Sequence, residues 1–199
     1  VAARGFFALE RLLWPADAPE GDYACALTHA TAQDLARMAA EINAEWRDGF
    51  VATLTAPGPQ GRYLDVNETR QALFTALITG IEFNADSRVG RPLGTLDRPR
   101  PERAEARASG RSLHNITRSL LALRDLAHAL HDPLPQTDAA FDRALHQVGK
   151  VDLAKLDDPG MWLKAEILEE NIKAIADAAQ MELAPARGSS IGFNAADGD

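Results

Sequence analysis

The sequence predicts an all-α protein folded as an up-and-down antiparallel helical bundle, on three observations. Apolar residues recur at helical spacings along nearly the whole chain, as helices with one buried face require. No stretch alternates apolar and polar residues between turn signals, as a half-buried strand would. Clusters of proline, glycine and aspartate divide the periodic stretches, and the short connections they leave favour antiparallel neighbours.

A first helical segment, 1–14, ends at Trp14-Pro15, and 16–21 reads as a connector. From Tyr23 a long pattern carries Leu27, Leu35, Met38, Ile42, Trp46 and Phe50 until 57–61, rich in proline and glycine, stops it. Asn67 is placed to cap the next helix, where Leu73, Leu77 and Ile81 form an i, i+4 stripe beside Phe74 and Ile78. Residues 91–101 read as a loop. Ser112 is the expected cap of a helix with Leu113, Ile116, Leu120, Leu123 and Leu130 on one side. The run Asp132-Pro133-Leu134-Pro135 breaks it. A shorter helix holds Phe141, Leu145 and Val148. After Asp158-Pro159-Gly160 the last long helix carries Trp162, Ile167, Leu168, Ile172 and Ile175. The apolar faces of the helices from Tyr23, Asn67, Ser112 and Pro159 are expected to converge. Residues 1–199 thus divide into a leading helix (1–14), a bundle (23–181) and a tail (182–199).

With 199 residues, 46% of them hydrophobic, the chain can bury a real core. Its net charge of −8 argues against a nucleic-acid partner, which needs a clustered basic face. The arginines of 98–103 are diluted by acids and read as a solvated loop. No apolar run reaches the roughly 18 residues of a membrane span. Cys25 is alone, so there is no internal disulfide, and it reads as a small core residue. No His-Glu-x-x-His helix, Gly-x-Ser-x-Gly elbow or phosphate-binding glycine loop occurs. His128 and His131 share a helix face by spacing; they either offset the dipole of a helix C-terminus or hold a metal. His29, His114 and His146 are isolated.

Three blocks carry more. The run Arg4-Gly5-Phe6-Phe7-Ala8-Leu9-Glu10-Arg11-Leu12-Leu13-Trp14 resembles the Gly-x-His-x-x-Glu signature of imelysin-like proteins, the M75 group of peptidases, with Phe7 in the histidine slot. The segment 105–115 is similar to that family's Glu-Ser-x-x-Ser-x-x-Ser-Leu block, with Ala106 in place of its first serine. The close, Gly192-Phe193-Asn194-Ala195-Ala196-Asp197-Gly198-Asp199, is similar to its Gly-Phe-Asn-x-x-Asp-Gly-Asp tail. The resemblance implies two helical bundles, of which this chain would hold one plus the motif helix, with an N-terminal half as partner. Val1 opening straight into the helical pattern fits that expectation. It also implies a bacterial periplasmic or cell-envelope location, outer-membrane-associated or lipoprotein-like, and a link to iron uptake.

In a helix, His and Glu three apart could grip one cation; with Phe7 the nitrogen ligand is lost. Glu10 remains the candidate metal residue, for iron or another divalent metal, or else it is ion-paired to Arg4 or Arg11. Phe7 is expected to pack with Phe6 and Leu9. Glu105, Arg107, Ser109, Arg111 and Ser112 crowd a helix entrance, where free N–H groups favour anions. Either they cap and pair with one another, or Glu10, Glu105, Arg107, Ser109 and Ser112 line a pocket for a small polar or metal ligand, with Asn194 and Asp197 of the tail nearby. The expected function is non-catalytic binding; the alternatives are an M75-type metallopeptidase and a structural interaction module.

Overall fold

The computed structural model describes residues 4–14 and 20–183. The tail residues Asn194 and Asp197 therefore lie outside the described residues. Two compact units emerge, Val1–Val66 with Ala108–Gly110, and Asn67–Arg107 with Arg111–Asp199. No strand occurs among the described residues; Thr95 and Arg98 form an isolated bridge.

In the first unit, α1 (Phe6–Leu13) packs on α2 (Asp22–Glu45). A π-helical turn, Trp46–Phe50, carries α2 on into α3 (Val51–Thr55). Arg4 holds Asp34 with two bonds, Nε to Oδ2 and Nη2 to Oδ1, both 2.8 Å. Hydrogen bonds from Arg4 and then Arg37 hold the Asp34 carboxyl far below the usual carboxylate range. Little of this unit is buried. Ala8, Ala24 and Thr31 are the residues that α1 and α2 enclose, whereas Phe6 and Tyr23 are 76% and 79% exposed, and Ile42 and Trp46 are exposed too. Cys25 is a correction: its neighbour Ala24 takes the inward position, and the thiol is exposed in an open groove with Thr28, His29 and Ala32.

The second unit is built from α4 (Val66–Glu82), α5 (Arg91–Leu93), α6 (Ser112–Leu130), α7 (Pro135–Val148) and α8 (Pro159–Leu183). A π-helical segment, Phe83–Gly90, joins α4 to α5 into one continuous run, so the expected loop from 91 starts only at Gly94. Pro92 lacks an N–H and its ring crowds the carbonyl of Arg88 four residues back, which favours the wider turn. Asn67 is not the cap expected for α4, since the helix already opens at Val66.

Side-chain meetings give the directions. Gly80 and Asn84 face Leu123 and Ser119, so α4 and α6 run antiparallel. Arg124 reaches Asp142, and His128 reaches Asp138, so α6 and α7 do as well. Thr137 meets Glu182 while Gln147 meets the Lys164 carbonyl, which makes α7 and α8 antiparallel. Trp162 Nε1 donates to the Leu93 carbonyl at 3.0 Å, and Gly90 lies against Glu169, returning α8 to the start. This is an up-and-down bundle closed on itself. Its core takes Leu77, Ile78 and Ile81 from α4, Ile116 and Leu120 from α6, Phe141 from α7, and Leu168, Ile172 and Ile175 from α8, each at most 1% exposed. Of the four helices expected to converge, α4, α6 and α8 do so within this unit, and α7 supplies a further face. A Cβ at Gly80 would stand 2.6 Å from Leu123 Cδ2, so glycine sets how closely α4 and α6 approach.

Two charge clusters tie helix ends. The Glu182 carboxylate, from α8, accepts the Gln136 and Thr137 backbone N–H groups at 2.9 and 2.8 Å, capping α7, whose own N-cap, Leu134, offers no side chain for it. At the other corner Asp138 takes Arg124 Nε at 2.7 Å and His128 Nε2 at 2.9 Å, and Asp132 lies 3.2 Å from His128 Nδ1. His131, by contrast, leaves the helix as an exposed, extended C-cap residue, so it forms no pair with His128 on one helix face. The hydrogen bond with Asp138, partly opposed by burial and reinforced by the charges of Asp138 and Asp132, raises the His128 pKa. A raised folded-state pKa stabilises fully below the unfolded value of about 6.5 and loses that contribution as pH rises through the folded value. His128→Gln is therefore expected to lower the melting midpoint at pH 5.5 more than at pH 9, and parallel melting curves across pH check it.

Candidate functional site

The motif helix begins at Gly5, whose φ of +92° lies in the left-handed region that glycine adopts without strain. One turn on, the half-buried Glu10 reaches the Ala108–Gly110 segment of the same unit. Its Oε1 accepts both the Ser109 backbone N–H at 2.8 Å and the Ser109 hydroxyl at 2.7 Å. Such bonds to a charged carboxylate are stronger than neutral ones. Glu10 is thus held by hydrogen bonds; Arg4, one of its expected ion partners, is given over to Asp34. Phe7 does not pack inward with Phe6 as expected: the two rings are 50% and 76% exposed within the described structure.

The turn that presents Ser109 is tightly wound. Ala106 and Gly110 both have positive φ, 52° and 68°, and Ala106 is the only described non-glycine residue that does. The Arg111 N–H closes the turn on the Ala106 carbonyl at 3.0 Å. A left-handed alanine costs about 1 kcal/mol, and such strain persists where surroundings over-determine it.

In the second unit, Glu105 is the hub of a polar network. Its Oε2 accepts Arg88 Nε at 2.8 Å and its Oε1 accepts Asn115 Nδ2 at 3.0 Å. The Ser112 hydroxyl donates to the Glu105 carbonyl. Ser112 is therefore not the cap of α6: Arg111 holds that position, without a side-chain cap bond. The chain of bonds continues inward. Arg88 Nη1 donates to Asn84 Oδ1 at 3.1 Å, and Asn84 Nδ2 donates to the Gly80 carbonyl and to Ser119 Oγ at 2.7 and 2.9 Å. Asn84 is 1% exposed, and this full set of partners is what makes a buried amide tolerable. The Arg88 guanidinium also lies 5.2 Å from the Phe83 ring centroid.

Within the first unit the structure brings Glu10 to Ser109, and within the second it brings Glu105 to Ser112. Arg107 is exposed and joins none of the ion pairs among the described residues. Asn84, Arg88 and Ser119 escaped the sequence reading; Asn115 stood inside the recognised block but had no role assigned. Arg88 sits 17 residues from Glu105, and only the π-helical turn brings it there, which no short-range pattern announces.

A metal can be tested against these donors. Among the described residues no group of three or more His, Cys, Asp or Glu lies together in a way that could hold one. The motif helix offers the Glu10 carboxylate, with Oε1 already engaged by Ser109, and an aromatic ring at residue 7. The described donors do not fit a metal centre. No helix among them is long and apolar enough to cross a membrane.

Compared with known proteins, the chain matches the family model described as imelysin, peptidase M75, over residues 1–188. No curated protein matches the chain. Nor does any solved structure.

Proposed function

The chain belongs to the imelysin family, and from that premise we propose that it is a non-catalytic binding protein of the bacterial cell envelope. The observation that carries this reading is the commitment of Glu10 to Ser109, beside a phenylalanine at the position where the family signature has histidine. Metal-assisted peptide hydrolysis needs a cation held by several ligands with one position open. A carboxylate that organises a strained turn does different work: it fixes the shape of a polar surface. The ligand class that suits that surface is a small polar molecule or an iron species delivered already chelated. The apolar side chains that the first unit leaves exposed, Phe6, Phe7, Leu13 and Trp14 on or next to α1, support a further role in docking a protein surface.

The rival reading is the metallopeptidase that the family's description names. The two separate on one assay: the purified full chain, incubated with unfolded casein and a mixture of quenched fluorescent peptides, with and without chelator. The binding reading expects no chelator-sensitive cleavage above buffer. Robust cleavage abolished by chelator and restored by a divalent metal would establish the peptidase instead.

A further inference from the structure

The charge of this chain is unevenly placed. Residues 88–111 contain seven arginines, Arg88, Arg91, Arg98, Arg100, Arg103, Arg107 and Arg111, and three carboxylates, Asp97, Glu102 and Glu105, with no lysine. The segment carries +4 in a chain of −8, so the rest of the sequence carries −12. Glu105 is matched by Arg88, and Glu102 lies 3.8 Å from Arg100. Arg91, Arg98 and Arg103 are exposed, and none of the ion pairs among the described residues uses them.

Their backbone is gathered into one compact loop. Gly94 turns with φ +60°, and a Cβ there would stand 2.6 Å from the Arg98 carbonyl oxygen. The Arg100 N–H donates to the Pro92 carbonyl at 2.8 Å, and the Arg98 N–H donates to the Thr95 carbonyl at 2.9 Å. Residues 91–94 therefore lie against 98–100, and Arg103 follows in the next turn with its N–H on the Arg100 carbonyl at 2.9 Å, so the three arginines belong to one small structure. At the apex of the Thr95–Arg98 turn sit Leu96, 53% exposed, and the exposed Asp97.

We propose that this loop docks the protein on an anionic lipid bilayer, with Leu96 entering the interface and Arg91, Arg98 and Arg103 meeting the headgroup phosphates. An exposed apolar residue in a loop whose arginines outnumber its carboxylates suits an anionic bilayer, because one group gains from the acyl boundary and the others from the surface potential. Guanidinium suits the task, since it grips phosphate through two bonds and is weakly hydrated. The acidic remainder of the chain orients the molecule, turning its other faces away from the same surface. The inference uses neither Glu10 nor Glu105 and stands apart from the proposed function.

The test is co-sedimentation of the full chain with vesicles of phosphatidylcholine alone or mixed with phosphatidylglycerol, at low and high salt. Binding is expected only with phosphatidylglycerol, and to fall as salt rises. The combined variant Arg91→Gln, Arg98→Gln, Arg103→Gln should bind about a hundredfold more weakly. Leu96→Ser should weaken binding about threefold to tenfold at unchanged salt dependence. A matched charge change elsewhere, Arg143→Gln with Lys150→Gln and Lys164→Gln, should leave it unaltered, with circular dichroism confirming that every variant folds. Equal retention on both vesicle types, no binding at all, or undiminished binding by the triple variant would overturn the proposal. So would soluble inorganic polyphosphate bound as tightly as vesicles and indifferent to Leu96→Ser, which would make the loop a polyanion reader.

Discussion

Phe141→Ala is expected to destabilise the second unit by about 3–5 kcal/mol, more than any single polar change in the molecule. Phe141 is fully enclosed, and it lies on α7, the helix packed against both α6 and α8. Removing the ring subtracts its transfer free energy and leaves a cavity that three helices can close only partly. Against the 5–15 kcal/mol typical of a whole domain, such a loss brings the unit close to unfolding at ambient temperature. Urea denaturation followed by circular dichroism gives the number directly. Ile167→Ala serves as the internal contrast: Ile167 is on α8 but 43% exposed, so its loss should stay below about 1 kcal/mol.

Glu105→Ala is expected to cost about 2–3 kcal/mol, an effect out of proportion to a residue at the edge of a turn. The arginine and carboxylate side chains of the Arg88–Glu105 pair are 21% and 20% exposed, so water cannot fully replace the lost acceptor. The damage propagates, because Arg88 also donates to buried Asn84, which in turn holds Ser119 of α6. Glu105→Gln, which keeps size and one acceptor, should recover part of the loss. The check is a double-mutant cycle with Arg88→Met, in which a coupling of at least about 1 kcal/mol is expected. Additive single effects would show that the network is only a set of independent contacts.

These two residues also mark what could be read in the sequence. The Phe141 position follows from helical spacing alone, as do Leu77, Ile81, Leu120 and Ile172, because burial on a bundle face is periodic. The partner of Glu105 does not follow, since it depends on a π-helical turn and a chain reversal through Gly94. Periodicity erred along α2 for a physical reason. Leu27, Ile42 and Trp46 have helical spacing, yet they are 39%, 66% and 49% exposed, since spacing says which side is apolar and not whether anything covers it. Cap assignments failed by two positions at Asn67 and by one at Ser112, where several polar residues in a row compete for the same N–H groups. Glu10 and Ser109 were both singled out, but their direct bond joins residues 99 apart in the chain. Such a pairing is a product of tertiary structure.

The central claim, that Glu10 holds a turn and not a metal, is tested most directly by titrating the purified full chain with ferrous and zinc ions in a calorimeter, beside Glu10→Gln and Phe7→His. The account predicts no stoichiometric binding by the native chain, and a lowered melting midpoint for Glu10→Gln in the presence of chelator, because two hydrogen bonds to Ser109 are weakened with no metal involved. Phe7→His supplies the missing nitrogen one helical turn before Glu10, and a weak new site there would agree with the account. One equivalent of metal bound tightly by the native protein, and lost in Glu10→Gln, would contradict it.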